Sequence, residues 1–312
     1  MSMPPGSTAP AQVAPPADAG DAEQKRSFVS TWVARIGVQN LSLLVALIVL
    51  AAAIGSQNAN FFSVPNIRVI GEGVAILGIL AVGETIIMLL GGLDISVGSQ
   101  AGLASVISAM VFTSSGSAIF GMAAAIAIGA VAGLINALII VYGRVNSVIA
   151  TLATFAAYRG VVNLISNGSA QGYTGGDDVF TFLSLGKIAG VPVLILAFLV
   201  IAALVYIMLR FTDIGRNIYA IGGNKVAARL SGLRINKYVI GAYMLMGVTA
   251  AIAGILLTAR TGSGQPTSGS QGLELQVITA VALASGADAR RAALDDGLTP
   301  TYEPIIGFDP HE

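Results

Sequence analysis

Residues 191–209 read VPVLILAFLVIAALVYIML, a run without a single charge, and residues 210–238 continue as RFTDIGRNIYAIGGNKVAARLSGLRINKY. At 1.5 Å rise per residue, a helix over the first stretch covers about 29 Å, the thickness of a bilayer's hydrocarbon core. The second stretch carries Arg210, Arg216, Lys225, Arg229, Arg234 and Lys237 against one acid, Asp213. One basic residue at mid-membrane costs at least ~2.5–3.5 kcal/mol, so six would cost roughly 15–20. The second stretch is therefore an aqueous loop between two spans.

Working outward, the same pattern predicts spans at 38–56, 69–91, 97–114, 119–142, 147–165, 191–209 and 239–259, with a shorter apolar stretch at 273–285. Turn or polar residues separate them: Ser56-Gln57-Asn58, Gly91-Gly92, Ser114-Ser115-Gly116, Gly143-Arg144 and the long 166–190 segment. Of 312 residues, 55% are hydrophobic and 10% charged, and the mean hydropathy is +0.81. A soluble domain carries about 25% charged residues, so most of this chain must be solvated by lipid. The fold class expected is an all-α integral membrane protein, a multi-span helical bundle broken between its second and third spans. Three regions follow: a cytoplasmic segment 1–37, disordered where Ala, Pro, Asp, Gln and Ser crowd residues 1–24; a transmembrane domain 38–285; and a polar tail 286–312.

Basic residues gather on the cytoplasmic side of membrane proteins. With Lys25, Arg26 and Arg35 inside, seven spans put Arg144 inside, 166–190 outside and 210–238 inside. The outer loop holds Asp177 and Asp178 with only Lys187, so charge and span count agree.

Several functions are excluded. Net charge is zero, and no basic run interleaved with aromatics marks a nucleic-acid surface. There is no Cys, and the single His311 lies in the polar tail, which leaves a metalloprotease or a Ser/His hydrolase without its framework histidine. No G-x-x-x-x-G-K-[S/T] cradle occurs, so the chain neither binds nor hydrolyses ATP by that device. No catalytic residue, metal site or cofactor is expected.

Glu84 lies inside an apolar span, with Glu72 before it and Asp94 after it. A carboxylate at membrane depth faces protein or a water-filled path rather than lipid. Two alternatives stand for Glu84: lining or gating a pathway, or a neutralised or snorkelled side chain. For Asp94 the simpler role is a cap on the helix that begins after Ser96. Gly98/Gly102 and Gly129/Gly133 have the small-xxx-small spacing that lets membrane helices approach closely.

Three stretches resemble the permease subunits of the ribose/simple-sugar class of bacterial ATP-binding-cassette importers. The first is Leu90-Gly91-Gly92-Leu93-Asp94-Ile95-Ser96-Val97-Gly98-Ser99. The second is Gly143-Arg144-Val145 with Ile149-Ala150-Thr151-Leu152, Tyr158-Arg159-Gly160 and Asn167-Gly168-Ser169. The third, the most specific, runs from Thr212-Asp213-Ile214-Gly215-Arg216-Asn217 through Ile218-Tyr219-Ala220-Ile221-Gly222-Gly223-Asn224 to Ala227-Ala228-Arg229-Leu230-Ser231-Gly232. Ala259-Arg260, Gln265-Pro266-Thr267 and Gly272-Leu273-Glu274-Leu275 also fit, so the resemblance covers roughly 40–285.

The resemblance implies a noncatalytic, multi-pass subunit of the bacterial inner membrane that forms a monosaccharide path with a second permease copy or a paralogue. It implies two further partners: a cytoplasmic ATPase subunit, which uses the ATP, and a periplasmic or lipid-anchored sugar-binding protein. It makes Gly215, Arg216, Asn217, Tyr219, Gly222, Gly223, Asn224, Ala227, Ala228, Arg229 and Gly232 the coupling element, and Glu84, Gly92, Asp94, Ser96 and Gly98 candidates for the pathway or gate. From the residues alone, a Gly-bounded basic element between spans suits docking on a partner. Ala227, Leu230 and Leu233 are expected to form an apolar stripe, with Lys225 and Arg229 on another face. The alternative from another mechanistic class is an ion-coupled secondary transporter with Glu84 or Asp94 as its proton site.

The resemblance breaks near Ala284-Ser285. Where the family turns through glycines into further apolar helices, this sequence reads Gly286-Ala287-Asp288-Ala289-Arg290-Arg291 and then a polar stretch. A stretch over 273–285 covers only ~20 Å of a ~30 Å core. Two explanations stand: a natural variant that ends in a cytoplasmic or interfacial tail, or a gene truncated or shifted in frame, whose last 27 residues are expected to have no fold and whose transport would be compromised.

Overall fold

The computed structural model describes residues 38–295 except 59 and 173, the ends of this range as backbone only. The expected disorder of residues 1–24, the basic residues preceding Val38, and His311 all lie outside the described residues. The chain divides into one compact unit up to Ala53 and a second from Ile54 onward. In the first, helix α1 begins at Val38 and runs on to Gln57. It covers the first expected span, 38–56.

In the second unit α2 (Val64–Leu89), α3 (Val97–Ser115), α4 (Ala118–Val141) and α5 (Ser147–Ser166) follow one another through short turns. The segment expected to be a plain outer loop holds a short helix, α6 (Asp178–Leu185), and the two-residue strands β1 (Lys187–Ile188) and β2 (Val191–Pro192), paired antiparallel. Asp177 caps α6, its carboxylate accepting from the amides of Val179 and Phe180. Then come α7 (Val193–Phe211), α8 (Asp213–Gly223), α9 (Lys225–Leu230), α10 (Ile235–Thr261) and α11 (Leu273–Asp295). Among the described residues, α2, α3, α4, α5, α7 and α10 are long and apolar enough to cross a membrane. The chain is an all-α, multi-span membrane protein.

Element ends follow local chemistry. Pro65 sits in the first turn of α2, where its missing N–H is no loss, so the helix starts at Val64, five residues before the expected 69. Gly116, Asn167 and Gly262 close α3, α5 and α10 in the left-handed conformation. The polar tail expected from 286 begins as helix, α11 continuing to Asp295, because Ala287-Asp288-Ala289-Arg290-Arg291-Ala292-Ala293-Leu294 is built almost wholly from strong helix formers.

Helix α10 packs along α4, α3 and α2. Its contact with α4 is backbone on backbone: a methyl at Gly129 would lie 2.3 Å from the Gly247 carbonyl oxygen, and one at Gly133 would lie 2.1 Å from that of Tyr243. Small residues permit this approach where lipid supplies no hydrophobic push. The outward faces remain apolar, with Leu199, Val200, Leu204 and Ile207 of α7 exposed.

The two ends of this unit differ. At one end Lys225 lies over Gly91, Gly222 sits on the Leu89 carbonyl, and Arg229 and Asn236 line a cleft with Tyr142 and Arg144. At the other, Gln171 pairs with Gly264, and Arg68 donates to the Ser184 carbonyl. From that second end the 262–272 segment folds inward along α3. Gly264 lies against Ser105 and Val106, and Ser270 against Gly102 and Gly98. The Gln265 amide donates to Ser105 Oγ at 3.0 Å. Passing α3 from about residue 106 to 98 is a descent of about 12 Å, so this loop is re-entrant.

Candidate functional site

The break between α2 and α3, residues 90–96, is packed with polar groups. Glu84 and Asp94 are both 0% exposed. Glu84 Oε1 accepts the Asp94 amide at 3.0 Å. Asp94 Oδ1 accepts from the Ser96 amide at 2.8 Å and from Ser96 Oγ at 2.5 Å, and its Oδ2 accepts from Gln100 Nε2 at 3.0 Å and Asn136 Nδ2 at 3.3 Å. Both amides also reach Ser96 Oγ, at 2.7 and 2.8 Å. Tyr158 donates toward the Ala132 carbonyl and Asn136 Oδ1. Thr151 Oγ1 accepts the Ile95 amide, and Tyr243 donates to the Leu93 carbonyl.

Side chains from α2, α3, α4, α5 and α10 thus close on one unwound turn. Irregular backbone at membrane depth survives only where protein satisfies its polar groups, and this knot does so. Glu84 is enclosed by protein, which sets aside a snorkelled side chain. Asp94 braces the start of α3 as a cap would, and it also ties α3 to α4 through Asn136. Glu84 Oε2 and Gln100 Oε1 are buried without a protein partner.

Of the candidate pathway residues, Glu84, Gly92, Asp94 and Ser96 come together here, Gly92 lying against Tyr243 and Ile87. Gly98 does not. It sits where a methyl would be 2.3 Å from Glu274 Oε2, against the re-entrant segment. Gln100, Asn136, Thr151, Tyr158 and Tyr243 were not singled out in the sequence as members of the knot. Their signal was there in Gln100 and Asn136, amides inside otherwise apolar spans.

The basic loop folds as two short helices at the Arg144 end. Thr212 caps α8, and Gly215 lets it turn back on α7, since a methyl there would meet the Leu209 carbonyl at 2.0 Å. Ile218 and Ile221 are buried in the main core, and Asn217 Nδ2 donates to Tyr238 OH at 2.6 Å. Arg216 pairs with Asp213 on the surface. Gly222 and Gly223 form the end of α8, and the chain bends at Asn224, whose side chain caps α9 through the Val226 and Ala227 amides. Gly222 has a packing role, because a methyl would lie 1.9 Å from the Leu89 carbonyl oxygen.

The apolar stripe is also corrected. Ala227 and Leu230 are exposed, Leu233 is half-buried, and the residue that anchors α9 is Ala228. With one turn and a half of helix, α9 buries a single side chain and turns the rest outward. Tyr219, Val226 and Leu230 therefore form an exposed apolar set, among Arg216, Lys225 and Arg229. Gly223 and Gly232 are open to solvent, with nothing within reach of an added methyl.

The family model for the permease component of branched-chain amino acid transport systems matches residues 72–293. The chain belongs to this permease family. The match takes in the knot, α8–α9 and the re-entrant segment, and it and α11 both pass the boundary expected at 285. A ribose import permease of Escherichia coli K12 is 38% identical over 261 residues, covering 83% of this chain and 79% of that protein. An L-arabinose transport system permease of the same organism is 37% identical over 77% of this chain and 73% of its own length. An autoinducer 2 import system permease of Yersinia pseudotuberculosis is 34% identical over 77% and 68%. No solved structure matches.

Proposed function

We propose that this chain is the membrane-spanning permease subunit of an ATP-driven importer for a ribose-like monosaccharide. The N-terminus and the α8–α9 end face the cytoplasm of a bacterial inner membrane, with a separate ATPase docked on α8–α9. A second permease copy or a paralogue completes the path, and an external sugar-binding protein delivers the solute. The sugar class rests on the ribose and arabinose permeases among its relatives.

The observation that carries the coupling role is Gly222 on the Leu89 carbonyl. Because α8 rests on the last turn of α2 with no side chain between, a force on α8 reaches residues 90–96 and the knot directly. Tyr219, Val226 and Leu230 supply the exposed apolar surface such a partner would bury, and Arg216 and Arg229 its charged rim. Asp94, with both oxygens engaged by neutral donors, fits a fixed brace better than the proton site of an ion-coupled transporter.

The test is Leu230→Glu. Leu230 is 84% exposed, so the substitution leaves the fold intact, and it is expected to abolish co-purification of the ATPase. Undiminished ATPase recovery would return α8–α9 to the status of a solvated loop.

A further inference from the structure

A second polar locus lies apart from the knot, where the re-entrant segment meets α5 and α3. Arg159 is twelve residues into α5 and so about 18 Å from that helix's start, near the middle of the bundle's depth. Its Nη1 donates to the Pro266 carbonyl at 2.9 Å and to Ser270 Oγ at 3.1 Å, and its carbon sits 5.6 Å from the Phe155 ring centroid. Its Nη2 is buried with no partner. Facing it is Glu274, 9% exposed. Glu274 Oε1 accepts the Gly272 amide, while its Oε2 is likewise buried without a partner and lies over Gly98. Arg159 and Glu274 both lie against the Ser270–Gly98 contact, yet they form no ion pair within 4.0 Å.

An unpaired guanidinium N–H and an unpaired carboxylate oxygen, set apart at membrane depth, are costly unless something joins them. The group that joins them best is a hydroxyl pair: one oxygen accepts from Nη2, and the neighbouring O–H donates to Oε2. We propose that Arg159 and Glu274, with Ser270 beside them and the bare backbone of Gly98 admitting the Glu274 carboxylate, form a mid-membrane subsite for a neutral polyhydroxylated solute. This deepens the importer assignment and rests on it. The bonds are few, because a transport site must release what it binds.

The test is saturation-transfer difference NMR of D-ribose on the permease alone in nanodiscs, with 2-deoxy-D-ribose as comparison. Glu274→Gln keeps an oxygen for the Gly272 amide but loses the anionic acceptor. It is expected to weaken ribose binding about tenfold or more, as the loss of a charged hydrogen bond does. If the bridged pair includes the 2-hydroxyl, the deoxy sugar binds the parent more weakly and loses nothing further on the substitution. Equal ribose binding by parent and Glu274→Gln overturns the subsite, and so does no binding by the parent. Should Glu274→Gln fail to fold, Arg159→Lys replaces it, and unchanged ribose binding there overturns the proposal equally. A parent that binds ribose but recovers no ATPase leaves the subsite standing and overturns the importer assignment. Recovery of ATPase without ribose binding does the reverse.

Discussion

Replacing Asp94 with Ala removes the acceptor at the centre of the knot. Four donors converge on that carboxylate, two from Ser96 and one each from Gln100 and Asn136. The two amides keep Ser96 Oγ as an acceptor, so the groups newly orphaned are the Ser96 amide and hydroxyl. Each buried donor left unpaired costs about 1–3 kcal/mol, which puts the pair at roughly 2–6. In a membrane the unfolded reference also finds partners, and interhelical hydrogen bonds there average only ~0.6 kcal/mol. The expected loss is therefore at the lower end, about 2 kcal/mol. The assay is equilibrium unfolding in mixed detergent–SDS micelles, with Asp213→Ala, an exposed surface carboxylate, as the unaffected control. A change in Asp94→Ala below about 0.5 kcal/mol, the range of ordinary surface substitutions, would refute the knot as a structural brace.

Other outcomes follow from the same geometry. Gly133→Val would drive a side chain into the Tyr243 carbonyl, 2.1 Å from its first carbon; separating α4 from α10 is expected to cost about 1–3 kcal/mol or more, read in the same unfolding assay. Gly222→Val would lift α8 from the Leu89 carbonyl, and reconstituted complexes are expected to retain bound ATPase while losing most ATP-driven uptake. Unimpaired uptake would show that this contact transmits nothing. Reporter fusions at Gly175 and Lys225 are expected to fall on opposite sides of the membrane, Lys225 in the cytoplasm.

What was legible in the sequence was the part governed by transfer energy. Runs such as 191–209 have one solution in lipid, and the six basic residues of 210–238 are too costly to bury there. Less legible was where helices stop. Pro65 carried α2 further out than hydropathy implied, and the Ala-rich stretch after Ser285 continued α11 although its polarity marked it as tail. The site was visible in outline, since Glu84, Asp94 and Ser96 are conspicuous in an apolar setting. Their partners came from positions 100, 136, 151, 158 and 243, and which helices meet at the break is decided by tertiary packing that no local pattern records. The outward face of α9 failed for a related reason. A six-residue helix has no periodicity long enough to say which side is buried, and its anchor proved to be Ala228 rather than the larger Leu230.

In the proposed function, ATP used by a subunit seated on α8–α9 drives a sugar through this chain. It is tested most directly by uptake of radiolabelled D-ribose into proteoliposomes holding the full-length permease with its ATPase and binding protein. Accumulation is expected to require ATP inside the ATPase-bearing compartment, to persist without any ion gradient, and to be lost in Leu230→Glu. Accumulation driven by a proton or sodium gradient without ATP would contradict it.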